Sequence, residues 1–338
     1  MINKEDLLDT PFDQYSRQFQ VADIVDKLRK DKTPLTILDV GGYKGKTTQF
    51  FPSDKVTVLD VFDVDEPNYV KASGLSLPFK DDAFDIVVNF DVLEHIQNKS
   101  RQTFINECAR VAKVAFFICA PHKTEANKKA ELELNRIYKQ LHGSDHPWLT
   151  EHIAFGLPEM QETKKQIKNT GHDVVCLTSN DTLLWTIMQN AIFLNSKYPQ
   201  AAPRLQELNR YYNKQFKQDG AYDEKESYRI IYFCTNNKIN HKDIVSEKED
   251  TLRLLNTTKK VALIDHVGQY YANLLNNILD ENRSLKDHLD SAEKTITQLI
   301  LERDQIKKEN EALNKHIIVR ATKKAKGTAG YFTKRNKK

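Results

Sequence analysis

The sequence predicts an α/β protein with a doubly wound, mostly parallel sheet of seven strands, followed by a long α-helix. Three observations predict it. Apolar runs of strand length alternate with helical patterns through the first 236 residues. Glycines follow the first of those runs directly. Beyond residue 262 an apolar seam repeats every seven residues.

The elements follow in order. A helix is expected near 13 to 30, then strands at 35 to 40, 56 to 61, 68 to 72, 84 to 90 and 114 to 120, with helices between them. A helical pattern over 158 to 169, closed by Gly171, leads into a strand at 172 to 177. Arg229 to Cys234 supplies the final strand. Two insertions interrupt this plan, at 121–157 and 182–227. Both leave the sheet where the crevice of an open α/β fold binds its ligand, beyond the carboxyl ends of the strands.

Composition sets further bounds. A chain of 338 residues with 39% hydrophobic content supports one medium domain, 1–236, plus an appendage. Cys108, Cys119, Cys176 and Cys234 are widely spaced, and three lie in apolar runs, which suits reduced thiols rather than disulfides or zinc. With a polar N-terminus and no apolar run of spanning length, the expected location is the cytoplasm.

The strand Ile37-Leu38-Asp39-Val40 runs into Gly41, Gly42 and Gly45, where backbone without side chains lets a ligand approach closely. A second strand ends in Asp60, about 20 residues on, a spacing at which a carboxylate accepts both hydroxyls of a ribose. Tyr43 occupies the middle-glycine position of G-x-G-x-x-G, so a dinucleotide pyrophosphate site is not expected.

The run from Ala72 to Ile96 contains Leu77-Pro78-Phe79, Phe84-Asp85, a strand, and Leu93-Glu94-His95. It resembles the central signature of class I S-adenosylmethionine-dependent methyltransferases of the small-molecule (type 11-like) kind. With the two earlier motifs the resemblance spans about 15 to 236. It implies a seven-stranded Rossmann-like sheet whose last strand is antiparallel. It also implies S-adenosylmethionine as cofactor, with Gly41, Gly42 and Gly45 against its methionine and ribose, Asp39 bracing the loop, and Asp60 on the ribose hydroxyls. Ser73 stands where the family often has an acid facing the adenine amino group, and a serine oxygen also accepts such a bond. Asp91, with Asn89 and Phe90, is expected to line the methyl pocket, while Tyr15 and Arg17 either close over the site or pack at the surface.

The first insertion is rich in imidazole. His122, His146 and His152, together with His95 after the fourth strand, are candidates for the base that takes the proton of an acceptor hydroxyl. A metal on His142 and His146, completed by Glu151 or His152, is the competing use; Gly143 and Pro147 break the helix it needs, and no metal is expected. The expected activity is O-methylation of a sugar or other small-molecule hydroxyl, a glycan acceptor of surface-polysaccharide assembly among them. The alternative is a degenerate domain serving as a non-catalytic cap or regulator.

Residues 237–262 read as a linker and 263–318 as a coiled coil with Leu275, Asn282, Leu289, Ile296, Arg303, Asn310 and Ile317 at the a positions. Asparagine at a favours a parallel pair, hence a homodimer on a stalk on the order of 70 Å long. The tail 319–338 carries basic residues and no acid, in a chain of net charge +4. An acidic partner or the inner membrane surface suits it. The absence of base-methylation motifs speaks against nucleic acid.

Overall fold

The computed structural model describes residues 6–43, 46–216, 223–236, 249–281, 293–312 and 315. The chain divides into two compact units, Met1–Ser246 and Glu247–Lys338.

The first unit is built on one seven-stranded sheet in the order β3-β2-β1-β4-β5-β7-β6. The strands are β1 (Thr36–Val40), β2 (Lys55–Asp60), β3 (Tyr69–Lys71), β4 (Phe84–Phe90), β5 (Ala112–Pro121), β6 (Asp173–Asp181) and β7 (Ser227–Thr235). Neighbours from β3 to β5 run parallel, and β7 enters antiparallel between β5 and β6. The order reverses between β1 and β4, which opens a crevice beyond their carboxyl ends.

Central strands are apolar on both faces because helices cover both. In β5, Phe116, Ile118 and Ala120 enter one core with Phe104, Ile105 and Cys108 of α3 (Asn98–Val111). Alternate residues Ala115, Phe117 and Cys119 enter the other, with Val21 and Val25 of α1 (Phe12–Leu28). Tyr15, a candidate lid residue by sequence, belongs to this second core at 1% exposure, stacked on Phe19. It is too deep to close over a ligand. All four cysteines are free thiols.

Between β1 and β2 lies the short α2 (Thr47–Phe50). After β5 the chain forms α4 (Glu125–His142) and α5 (Pro147–Phe155), then α6 (Met160–Lys168) returns to β6. Gly143 ends α4 at φ +80°, and Pro147 opens α5 at its first turn, the two residues expected to break the helix there. The second insertion is α7 (Thr182–Lys197) and α8 (Ala202–Gln215).

The second unit differs from the expected rod. Its helix α9 (Glu249–Glu281) begins inside the stretch read as a linker and buries Leu263, Ile264, Val267, Tyr270, Tyr271, Leu274 and Ile278. At the expected a position Leu275 the side chain is half-buried, and its neighbour Leu274 is the buried one. Residues 293–312 are again helical, α10. Here Arg303 Nη1 donates to Asp265 Oδ1 at 3.2 Å, across 38 residues. One continuous helix would hold those positions about 57 Å apart. That contact does not fit one continuous helix through both positions. Asn282, Leu289, Ile317 and the basic tail 319–338 lie outside the described residues.

Candidate active site

The β1–β2 end of the crevice is a cradle. Gly41 has φ +83°, where an L side chain is strained, and its N–H donates to Leu59 O at 2.7 Å, tying the turn to β2. A Cβ on Gly41 would meet Val92 Cγ2 at 2.4 Å, and one on Gly42 would meet Asp39 Oδ2 at 2.3 Å. Both positions thus have packing reasons to be glycine. Gly45 lies outside the described residues.

Asp39 is 1% exposed, and neither carboxylate oxygen has a hydrogen bond of ordinary geometry. Burial pushes its carboxyl up to about 6, and the nearby Thr47 hydroxyl and Arg17 charge offset only part of that. A buried carboxylate left without donors is costly in the absence of a ligand. Asp60 ends β2 with its carboxylate at the rim, accepting from Tyr43 N at 3.1 Å and Val61 N at 2.6 Å. Val61 and Phe62 follow it with unusually exposed apolar side chains, and Tyr43 lies 4.6 Å from the Phe62 ring. An apolar shelf beside a rim carboxylate suits a nucleoside. Ser73 is exposed after β3, with its Oγ accepting from Leu75 N at 3.2 Å.

Asp91 is where the sequence puts it, at the end of β4, and its carboxylate is bound from within the protein. Arg229 of β7 donates through Nε to Oδ1 at 2.7 Å and through Nη2 to Oδ2 at 2.6 Å, and Arg17 of α1 also pairs with Oδ2. The two guanidinium groups hold the carboxyl down to about 2 against a large burial cost. Each oxygen accepts from a guanidinium, so Asp91 anchors the loop. Its φ of +53° aims the following residues over the Gly41 turn. Arg17 is half committed, since its Nε is a buried donor with no partner.

The four candidate histidines divide. His122 is 1% exposed, and its Nε2–H donates to Ser227 O at 3.0 Å. It ties β5 to β7, and this correction removes it as a base. His146 caps α5, its Nδ1 accepting from Leu149 N at 3.5 Å, and burial pushes it down to about 4. It too is structural. His142 likewise turns away, to Ser196 Oγ at 3.0 Å.

His95 and His152 converge. Their Nε2 atoms lie 3.4 Å apart, while His95 Nδ1 meets Glu151 Oε2 at 2.7 Å and His152 Nδ1 meets Glu131 Oε1 at 2.9 Å. Tyr228 OH donates to the same Glu131 oxygen at 2.8 Å. Beside them Glu94 is wholly buried with neither oxygen bonded to another residue, and burial together with the Asp91 charge pushes it up to about 8. Arg101 of α3 joins the two supports of the cluster, donating to Ile96 O at 3.0 Å and to Gly156 O.

Glu94, Glu131, Arg101 and Arg229 were not singled out in the sequence. Glu94 stands inside the Leu-Glu-His motif and was within reach. Glu131 and Arg229 carry no local signal, because the partners that give them meaning lie 21 and 138 residues away.

Residues 38–117 match the family model described as a methyltransferase domain. The seven-stranded sheet with helices on both faces fits a Rossmann-like methyltransferase fold. The cofactor of such a domain is S-adenosylmethionine, and the cradle fits it through the unpartnered Asp39, the two crowded glycines and the rim at Asp60 to Phe62. The matched segment runs from within β1 to within β5 and leaves both insertions outside it. A search of curated proteins finds no match. Among solved structures, the chain is similar to magnesium protoporphyrin IX methyltransferase from Synechocystis PCC 6803 with bound S-adenosylhomocysteine, at 11% identity and TM-score 0.39, covering 66% of this chain and 84% of that one. It is similar to 1,6-didemethyltoxoflavin-N1-methyltransferase from Burkholderia thailandensis at 11% identity and TM-score 0.37, covering 66% and 80%. It is also similar to the [4+2]-cyclase SpnF at 15% identity and TM-score 0.41, covering 65% and 81%. These likenesses carry nothing about the acceptor. The methyltransferase domain places Asp39, Gly41, Gly42 and Asp60 within the matched segment.

Proposed function

We propose that this chain is an S-adenosylmethionine-dependent methyltransferase that methylates an oxygen of a small hydroxylated acceptor, a sugar or related polyol of the kind used in surface-glycan assembly. One observation carries the reading. The loop bearing Glu94 and His95 packs on the cofactor turn, since Val92 stands so close to Gly41 that even a Cβ there would collide with it.

When bound, S-adenosylmethionine supplies a methyl on a sulfonium sulfur, which passes to a nucleophile as the C–S bond breaks and its electron pair stays on sulfur. Asp60 would hold the ribose hydroxyls, Val61 and Phe62 the flat face of the base, and Gly41 and Gly42 the backbone path of the methionine. The unpartnered Arg17 Nε is a donor for the methionine carboxylate. The acceptor oxygen forms the new C–O bond and must lose its proton, and the Nε2 atoms of His95 and His152 are the acceptors within the site. Alignment supplies most of the rate, and helices α4 and α5 would exclude water above the reacting atoms.

The test is turnover. Incubation with S-adenosylmethionine and a panel of nucleotide sugars and free polyols, read by mass spectrometry, should give S-adenosylhomocysteine and a product heavier by one methylene. Cofactor binding with no turnover on any hydroxyl would instead favour the cap or regulator, a reading supported by Tyr43 at the glycine position and by the Ser73 oxygen already engaged by Leu75.

A further inference from the structure

We infer that Glu94, His95 and His152 form a binding site for one divalent transition-metal ion, Zn²⁺ by its chemistry, with an open position for an oxygen ligand. The three residues each offer a ligand atom, and these atoms lie within 4.8 Å of one another.

The protonation pattern is the first argument. His95 Nδ1 faces Glu151 and His152 Nδ1 faces Glu131. Carboxylates only accept, so each imidazole carries its hydrogen on Nδ1 and turns an Nε2 lone pair inward. Two lone pairs then face each other at 3.4 Å. That arrangement is repulsive for two neutral rings and is relieved either by a proton on one Nε2 or by a metal ion between them. A carboxylate on the outer nitrogen of each histidine is also how proteins orient and strengthen metal-binding imidazoles. Glu131 is in turn fixed by the Tyr228 hydroxyl.

Geometry is the second. An ion at the usual Zn–N distance from two nitrogens so spaced subtends an N–Zn–N angle of about 110°, close to tetrahedral. The third argument is Glu94, fully buried, with both oxygens unpartnered in a set that lacks only a third ligand. Two imidazoles and a carboxylate suit zinc or another late first-row ion and not a hard ion such as Mg²⁺. Because His95 keeps a partly exposed face, a fourth ligand can enter from the acceptor side. The inference departs from the expectation of no metal, which considered His142 and His146, and those two residues turn out to face elsewhere.

Metal binding does not itself need the methyl-transfer reading; an ion on the two Nε2 atoms takes the lone pairs assigned above to the acceptor proton, so in the metal-loaded protein the acceptor hydroxyl would be activated by coordination to the ion instead, a use that rests on that reading. Full-length protein stripped by a chelator and titrated with Co²⁺ tests the site. Expected are saturation at one equivalent, visible absorption of a four- or five-coordinate ion, displacement by Zn²⁺, and binding weakened at least about tenfold in Glu131→Gln and further in His95→Ala and Glu94→Gln. X-ray absorption of the Zn²⁺-loaded wild type, which needs no variant to fold, should show two imidazole scatterers. Failure to saturate, binding unchanged in the variants, or an absorption spectrum without imidazole overturns the inference. S-adenosylhomocysteine titrated into the same metal-free protein separates the two claims, because the cradle lies on other residues.

Discussion

Arg229 grips Asp91 through both carboxylate oxygens, at 2.7 and 2.6 Å, although 138 residues separate them in the chain. The contact ties the antiparallel strand β7 to the loop after β4. Arg229 Nη1 continues to Asn180 Oδ1 at 2.9 Å, and Asn180 Nδ2 to Ser16 Oγ at 2.9 Å. The floor of the site is therefore one polar network inside an apolar shell. Removing one member should cost more than the pair is worth, because a buried charge loses its partner. Arg229→Met is expected to destabilise the first unit by about 3–5 kcal/mol in urea denaturation, and Arg229→Met with Asp91→Leu by clearly less.

Acid should reveal the same contact. Asp91 is held down to about 2 in the folded chain, below its ordinary value near 3.8. A depressed carboxyl contributes stability that is present above the unfolded value and lost as pH falls toward the folded one. Thermal unfolding of the wild type is expected to lose stability between about pH 4 and pH 2 more steeply than Asp91→Asn, which lacks that ionisation. Parallel curves for the two proteins would remove the assignment.

The cradle makes a separable prediction. Gly42→Ala puts a methyl group against the Asp39 carboxylate, and Asp60→Asn removes a charge from the rim without changing its shape. Each should weaken S-adenosylhomocysteine binding by about tenfold or more, a loss on the order of 1.4 kcal/mol, in calorimetric titration. Asp60→Asn should lower the melting temperature only slightly, since among the described residues the carboxylate is hydrogen-bonded by the backbone N–H groups of Tyr43 and Val61, and the amide oxygen keeps one of those bonds.

Arg101 links the carbonyl after His95 to the carbonyl that closes α5. Arg101→Gln is expected to lower kcat while leaving the KM for S-adenosylmethionine within about twofold, because the cofactor cradle does not depend on it. A matched rise in the cofactor KM would mean that the substitution disturbs the whole sheet end instead.

The second unit can be tested by distance. Spin labels at positions 265 and 303, diluted with unlabelled protein, should lie within about 25 Å in a hairpin and about 57 Å apart in a straight helix. The longer distance would restore the continuous stalk.

Much of the fold was legible because its signals are local. Strand β4 (Phe84–Phe90) matches the expected span, and α1 and the last two strands differ from theirs by a few residues. The glycine turn and Asp60 were legible for the same reason, lying within one βαβ unit. Side-chain commitments were not. His122 and His152 look alike in sequence, yet one meets the Ser227 carbonyl and the other a carboxylate on α4, a choice set by tertiary packing. The heptads give only a period, and period alone does not distinguish a partner chain from the same chain folded back.

On the proposed function, the turn at Gly41 and Gly42, with Asp39 and Asp60, receives S-adenosylmethionine. Calorimetric titration of the full-length wild type with S-adenosylhomocysteine tests it most directly. One molecule bound per chain, with the heat lost in Gly42→Ala, is the predicted result; no heat at millimolar ligand would contradict it.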